Sequence, residues 1–207
     1  EKDVVLNKDF FKLYKKLCPG PITFILKKRR SSKIQPSVSA NLNSIGIRFP
    51  KHPVTRTILK KINFPLAMPS ANISSNLSPV NALDVSDEFK SSLKLIVDGG
   101  NSKIGLESTV LDLTGKPTVL RPGLVELKTI RKILKKKIYK VNKKSKIKSP
   151  GMLKSHYSPG IPMYFDANKI DKNCAILTFG KKYNGIKHSF NLSKNSNLKE
   201  AASNLYR

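Results

Sequence analysis

An α/β (α+β) fold is the architecture this sequence predicts, and two observations predict it. Short β-prone runs alternate with stretches of helical periodicity along most of the chain. The clusters of small polar residues fall at the ends of those runs, where open α/β sheets bind their ligands.

The elements follow in order. Phe10, Leu13, Tyr14 and Leu17 recur at helical spacing and predict a helix over 9–17. Cys18-Pro19-Gly20-Pro21 stops it. A strand is expected over 22–26, followed by a basic run at 27–30 that reads as a solvated strand end. A polar loop with Pro36 fills 31–44, and a second strand covers 45–49 before Pro50. A helix with a basic face fits 54–62, and a third strand is expected over 64–68. A helix should span 81–89, starting after Pro79. Strands are expected over 95–98, ending in Gly99-Gly100, over 105–113 and over 119–121. A helix covers 125–134. Residues 135–149 carry Lys135, Lys136, Lys137, Lys140, Lys143, Lys144, Lys146 and Lys148, the composition of a linker. Strands over 161–165 and 175–179 and a helix from 198 begin a second α/β unit. The domain reading is therefore 1–134 as the main domain, 135–160 as a basic linker and 161–207 as the start of a second domain.

Charge narrows the partners. The chain carries 40 Lys+Arg against 13 Asp+Glu, a formal charge of +27, and such a field attracts polyanions. The same numbers fit biased codon usage, because Lys, Asn and Ile are all abundant. Two distant cysteines and three scattered histidines offer no zinc spacing, and a reducing, cytoplasmic compartment is the expectation. No apolar run reaches the length of a membrane span, and no signal peptide opens the chain.

The densest candidate site runs over 65–79. Pro69 holds Met68 extended, and Ser70, Asn72, Ser74, Ser75, Asn76 and Ser78 follow without an acid or a base. Hydroxyls, amides and free backbone N–H groups suit a phosphate, though a polar loop capping the next helix has the same composition. Arg48 sits between apolar neighbours on a strand and needs an anionic partner, either an internal carboxylate or a ligand. Neither a GxxxxGK[ST] loop, nor a GxGxxG turn, nor a GxSxG elbow is present. Glu107, Asp98 and Asp112 are the acids near the polar clusters, and they form no evident carboxylate pair. Acid–base and covalent hydrolysis are thus poorly supported. The inventory instead fits positioning and charge stabilisation of a polyphosphate.

The ordered set Cys18-Pro19-Gly20-Pro21-Ile22-Thr23, Ile45-Gly46-Ile47-Arg48-Phe49-Pro50-Lys51-His52-Pro53, Pro69-Ser70-Ala71-Asn72, Asp98-Gly99-Gly100, Glu107-Ser108-Thr109-Val110 and Leu120-Arg121-Pro122-Gly123 resembles the YrdC-type threonylcarbamoyl-AMP synthases. Pro150-Gly151 and His156-Tyr157-Ser158-Pro159 resemble the linker of the longer, two-domain members. That linker argues against a related domain found in carbamoyltransferases of hydrogenase maturation.

The resemblance implies a YrdC-like twisted open barrel around a positive cavity, joined by the linker to a small second domain. It implies condensation of L-threonine, bicarbonate and ATP into threonylcarbamoyl-adenylate and pyrophosphate, with Mg2+ on the ATP and no metal ligand from protein side chains. A separate complex would then transfer the threonylcarbamoyl group to tRNA. By motif, Arg48, Met68 and Ser108 would hold L-threonine. Ser44, Ser70, Asn72, Ser78, Arg121 and Tyr157 would contact ATP. The family's amino-terminal Lys-x-Arg motif and threonine-contacting loop have no counterpart here, and the second domain stops early. The expectation is a piece of the enzyme that binds ATP weakly and turns over poorly. The competing reading, from the charge, is a double-stranded RNA or tRNA-binding module without catalysis.

Overall fold

The computed structural model describes residues 1–74, 76–141, 161–165, 174–181 and 187–206. The chain divides into two compact units: Glu1–Pro69 with Glu107–Lys154, and Ser70–Leu106 with Ser155–Arg207.

The first unit is built on a five-stranded mixed sheet. Its strands are β1 (Ile22–Lys27), β2 (Ser44–Arg48), β3 (Thr109–Asp112), β4 (Thr118–Arg121) and β5 (Tyr139–Lys140). Their spatial order is β2-β1-β3-β4-β5, so the sheet is open, with β2 and β5 at its edges. The β1–β2 and β3–β4 pairs are antiparallel, while β1–β3 and β4–β5 are parallel. β1, between β2 and β3, is the most apolar strand, and its Ile22, Phe24, Ile25 and Leu26 are all buried.

Helices α1 (Lys8–Leu17) and α4 (Leu127–Leu134) pack together and cover one face. Their apolar stripes bring Phe10, Leu13, Ile130 and Leu134 onto Ile22, Phe24, Leu26, Leu111 and Val119. Asn7 caps α1 through the Phe10 N–H, and its own amide donates to the Leu113 carbonyl at 2.9 Å. The other face carries a smaller cluster of Ile25, Val110 and Leu120. Helix α2 (Pro53–Lys61) follows β2, with Pro53 at its first turn, where the missing N–H costs nothing.

In the second unit, α3 (Ala82–Phe89) is capped by Asn81, whose side chain accepts from the Asp84 N–H at 2.8 Å. Asp84 answers by accepting from the Val80 N–H at 3.0 Å, a reciprocal cap that fixes where the helix starts. The same unit holds the parallel pair β6 (Ile176–Thr178) and β7 (Ser189–Asn191) and helix α5 (Leu198–Asn204). Ser193 is buried there. It donates to Glu200 at 2.5 Å and accepts from the Asn197 N–H at 2.9 Å.

Three expected strands are corrected. Residues 64–68, 95–98 and 161–165 form no strand. Phe64, Met68, Leu95, Val97 and Phe165 are exposed. A β-prone run becomes a strand only when another backbone pairs with it, and these runs pair with none of the described residues. The strand expected over 105–113 contracts to Thr109–Asp112, and the helix expected from 125 starts at Leu127. Within the lysine-rich stretch from 135, Tyr139–Lys140 pairs with Thr118–Val119 as β5. The strand β7 was not anticipated. Among the described residues no helix is long and apolar enough to cross a membrane.

Candidate functional site

Arg48, Thr23, Val110 and Arg121 lie on one rung of the first unit's sheet. Thr23 pairs with Arg48 on one side and Val110 on the other, and Val110 pairs with Arg121. Strands about 4.8 Å apart set the two arginine backbones about 14 Å from each other. Paired residues project to the same face, so both guanidinium groups rise on the face away from α1 and α4. Ser44 and Gly46 share that face with Arg48, at alternate positions along β2.

Arg121 reaches this face through a bulge. Val119 pairs with Leu111 and Arg121 pairs with Val110, which leaves Leu120 without a partner of its own. Val119 packs in the helix-side core, while Leu120 packs with Ile25 and Val110 on the opposite side. Strict alternation would then return Arg121 to the helix side. The extra residue turns it to the face of Arg48 instead.

The two arginines differ in their partners. Arg121 forms an ion pair with Glu107. It also donates to the Ser108 carbonyl from Nε at 3.2 Å and from Nη2 at 2.9 Å, and to Ser108 Oγ from Nη2 at 3.2 Å. Ser108 is 3% exposed, and its hydroxyl lies 2.7 Å from that of Thr23. One hydrogen-bonded chain thus runs Glu107–Arg121–Ser108–Thr23. The hairpin is held close by Gly123, where a Cβ would meet the Glu107 carbonyl oxygen and the Thr109 N–H nitrogen at 2.6 Å each. Thr109 adds a reciprocal bond with the Val125 backbone, at 2.9 and 3.1 Å.

The Arg48 side chain makes no hydrogen bond and no salt bridge among the described residues. The residue as a whole is exposed, yet its guanidinium end is partly desolvated. That desolvation, and then the Arg121 charge, hold its pKa below the usual arginine value, while Glu107 opposes them. A cation in this condition gains from an incoming anion, which would replace lost water and offset the neighbouring charge. Of the two partners the sequence left open for Arg48, the described residues supply no hydrogen-bonded carboxylate.

The remaining candidates are distributed as follows. Met68 lies in the first unit and is 70% exposed. Ser70, Asn72 and Ser78 belong to the second unit, and Tyr157 lies outside the described residues. Asn72 donates its amide to the carbonyls of Ile73 at 2.8 Å and Asn76 at 3.2 Å. Its Oδ1 is buried and has no hydrogen-bond partner among the described residues. Sequence reasoning assigned no role to Thr23, Glu107 or Glu88. For Thr23 the signal was its place as the lone polar residue within β1's apolar run. For Glu107 it was an acid set directly before a hydroxyl pair in a chain poor in acids.

No three His, Cys, Asp or Glu side chains converge on one point among the described residues. Glu107 is already committed to Arg121.

A mixed α/β sheet with one anchored and one available arginine on the same face defines an α/β protein with a candidate anion site. The family described as "Telomere recombination" (Sua5/YciO/YrdC) matches residues 2–123, and the chain belongs to it. The family described as "Threonylcarbamoyl-AMP synthase, C-terminal domain" matches residues 125–207. The chain is 38% identical to a Pyrococcus abyssi protein named threonylcarbamoyl-AMP synthase, over 71% of this chain and 44% of the relative. It is 34% identical to a Schizosaccharomyces pombe protein of the same name, over 77% of this chain and 42% of the relative. The crystal structure of P. abyssi Sua5 complexed with L-threonine superposes with a TM-score of 0.82 at 26% identity, covering 100% of this chain and 66% of that one. This chain therefore spans less than half the length of those two sequence relatives.

Proposed function

We propose that the chain is part of a threonylcarbamoyl-AMP synthase. L-Threonine and bicarbonate give threonine carbamate and water. A carbamate oxygen attacks the α-phosphorus of ATP, the bond from that phosphorus to the bridging oxygen breaks, and pyrophosphate leaves. The product, threonylcarbamoyl-adenylate, passes to a separate transfer complex that modifies tRNA. Nucleophile and electrophile are both anionic, so the reaction needs charge neutralisation and alignment more than a base.

The observation that carries the proposal is the available Arg48 guanidinium beside the anchored Arg121 on one sheet face. Arg48 would clamp the L-threonine carboxylate, helped by Ser108 and the Met68 backbone. Arg121, Ser44, Ser70, Asn72 and Ser78, with Tyr157, would hold ATP, and Mg2+ would arrive on the ATP phosphates as part of the substrate. Residues 1–134 would form the synthase domain, 135–160 the linker and 161–207 the start of the second domain. The similarity to the L-threonine complex of P. abyssi Sua5 supports the amino acid assignment.

Thermal stabilisation by Mg–ATP, with and without L-threonine, tests the proposal. Stabilisation by ATP that grows with L-threonine and not D-threonine is expected. Stabilisation only by an RNA duplex, vanishing at high salt, would replace it with the nucleic-acid-binding reading that the +27 charge favours.

A further inference from the structure

Asn72 stands on a short loop with no strand to hold it, so something else must fix its amide. That role falls to a carboxylate from α3. Glu88 Oε1 accepts from the Ile73 N–H at 2.7 Å and from the Asn76 side-chain amide at 2.8 Å. These two donors stand at the two ends of the turn that follows Asn72. Asn72 in turn donates to the Ile73 and Asn76 carbonyls. With both amide hydrogens spent on those carbonyls, the side chain cannot rotate freely, and its Oδ1 is the atom left without a partner. Each end of the turn is therefore held twice, by Glu88 and by Asn72 itself.

We infer that Glu88 is a positioning residue for the ATP-contacting Asn72 loop, an inference that rests on the proposed assignment of Asn72 to ATP. Glu88 sits in the last turn of α3, whose start is fixed by the Asn81–Asp84 cap. A helix anchored at its first residue delivers the carboxylate to the loop at a set distance. The carboxylate acts through hydrogen bonds to neutral donors. Its charge makes each of those bonds stronger than a neutral acceptor would. A glutamine keeps a carbonyl oxygen at the same place, so it should preserve most of the positioning, whereas alanine removes it.

The test compares the wild-type chain with Glu88→Gln and Glu88→Ala by three readouts. These are Ile73 amide hydrogen exchange, calorimetric affinity for a non-hydrolysable ATP analogue with Mg2+, and affinity for L-threonine. Glu88→Ala should speed Ile73 exchange at least tenfold and weaken the ATP analogue roughly tenfold, leaving L-threonine affinity within twofold. Glu88→Gln should recover most of both losses. Unchanged Ile73 exchange in Glu88→Ala would overturn the inference whether or not ATP binds. Faster exchange with unaltered ATP affinity would also overturn it, because the loop would be loosened without consequence. A wild-type chain that binds no ATP analogue refutes the functional proposal instead, and the exchange readout then judges the Glu88 contact by itself. Equal weakening of both ligands would mark Glu88 as a general fold contact and overturn the positioning role.

Discussion

Replacing Arg48 by alanine separates a ligand arginine from a structural one. The side chain has no hydrogen bond or salt bridge among the described residues, so its removal breaks no protein–protein contact of that kind. It also relieves the Arg121 charge and forfeits the Glu107 charge, effects of opposite sign on Arg48. Stability should therefore change by no more than about 0.5 kcal/mol, the usual range for surface positions. For a chain of this length that is a melting shift of roughly 2 °C at most. A charge-assisted contact to a bound carboxylate is worth about 1.5–3 kcal/mol. Its loss should weaken L-threonine binding roughly 10- to 150-fold. Isothermal calorimetry with L-threonine, beside a thermal melt, reads both quantities. Arg48→Lys should recover only part of the affinity, because an ammonium cannot match a carboxylate through two parallel bonds. A melting point lowered by 5 °C or more with unaltered L-threonine affinity would refute the reasoning and make Arg48 a structural residue.

Arg121→Ala should behave differently. It abandons Glu107 and the Ser108 carbonyl in a partly buried setting, between the surface and buried cases, and should cost about 2 kcal/mol. A melt should fall by roughly 4–8 °C, and ATP should weaken more than L-threonine. Gly123→Ala forces a Cβ against backbone atoms of Glu107, Ser108 and Thr109, and should destabilise by about 1–3 kcal/mol in the same melt. Burial pushes the Cys18 thiol up to about 11 from a usual 9.0, so iodoacetamide at neutral pH should label exposed Cys174 and spare Cys18. The unfolded chain ionises Cys18 near 9 and the folded chain only near 11. The stability linked to this thiol is therefore complete below pH 9 and declines as pH rises toward 11, which a melting series over that range would record.

Much of the frame was legible because local pattern and tertiary burial agree there. Phe10 and Leu13 at helical spacing and the continuous apolar run of β1 each announce an element that the core then uses. The runs at 64–68 and 95–98 read equally well as strands and form none, because pairing depends on a second backbone that no local pattern reveals. Arg48 and Arg121 could be singled out as charges on apolar strands. Their common face could not. It depends on the single unpaired residue Leu120, and a bulge leaves no mark in the alternation of Thr118, Val119, Leu120 and Arg121. The division of labour between the arginines was hidden for a similar reason. Glu107 becomes the partner of Arg121 only once the β3–β4 hairpin closes and brings Gly123 against Glu107 and Thr109.

The central parallel pair β1–β3 has a consequence for biosynthesis. Its hydroxyl contact between Thr23 and Ser108 joins residues 85 apart in sequence. Closing so long a loop is entropically slow, and parallel pairing gives no local hairpin to nucleate it. While the ribosome is still translating the segment before Thr109, β1 is an apolar strand with one edge unmet. The nascent chain must shelter that edge until β3 emerges, so the face that carries both arginines is among the last features of this unit to exist.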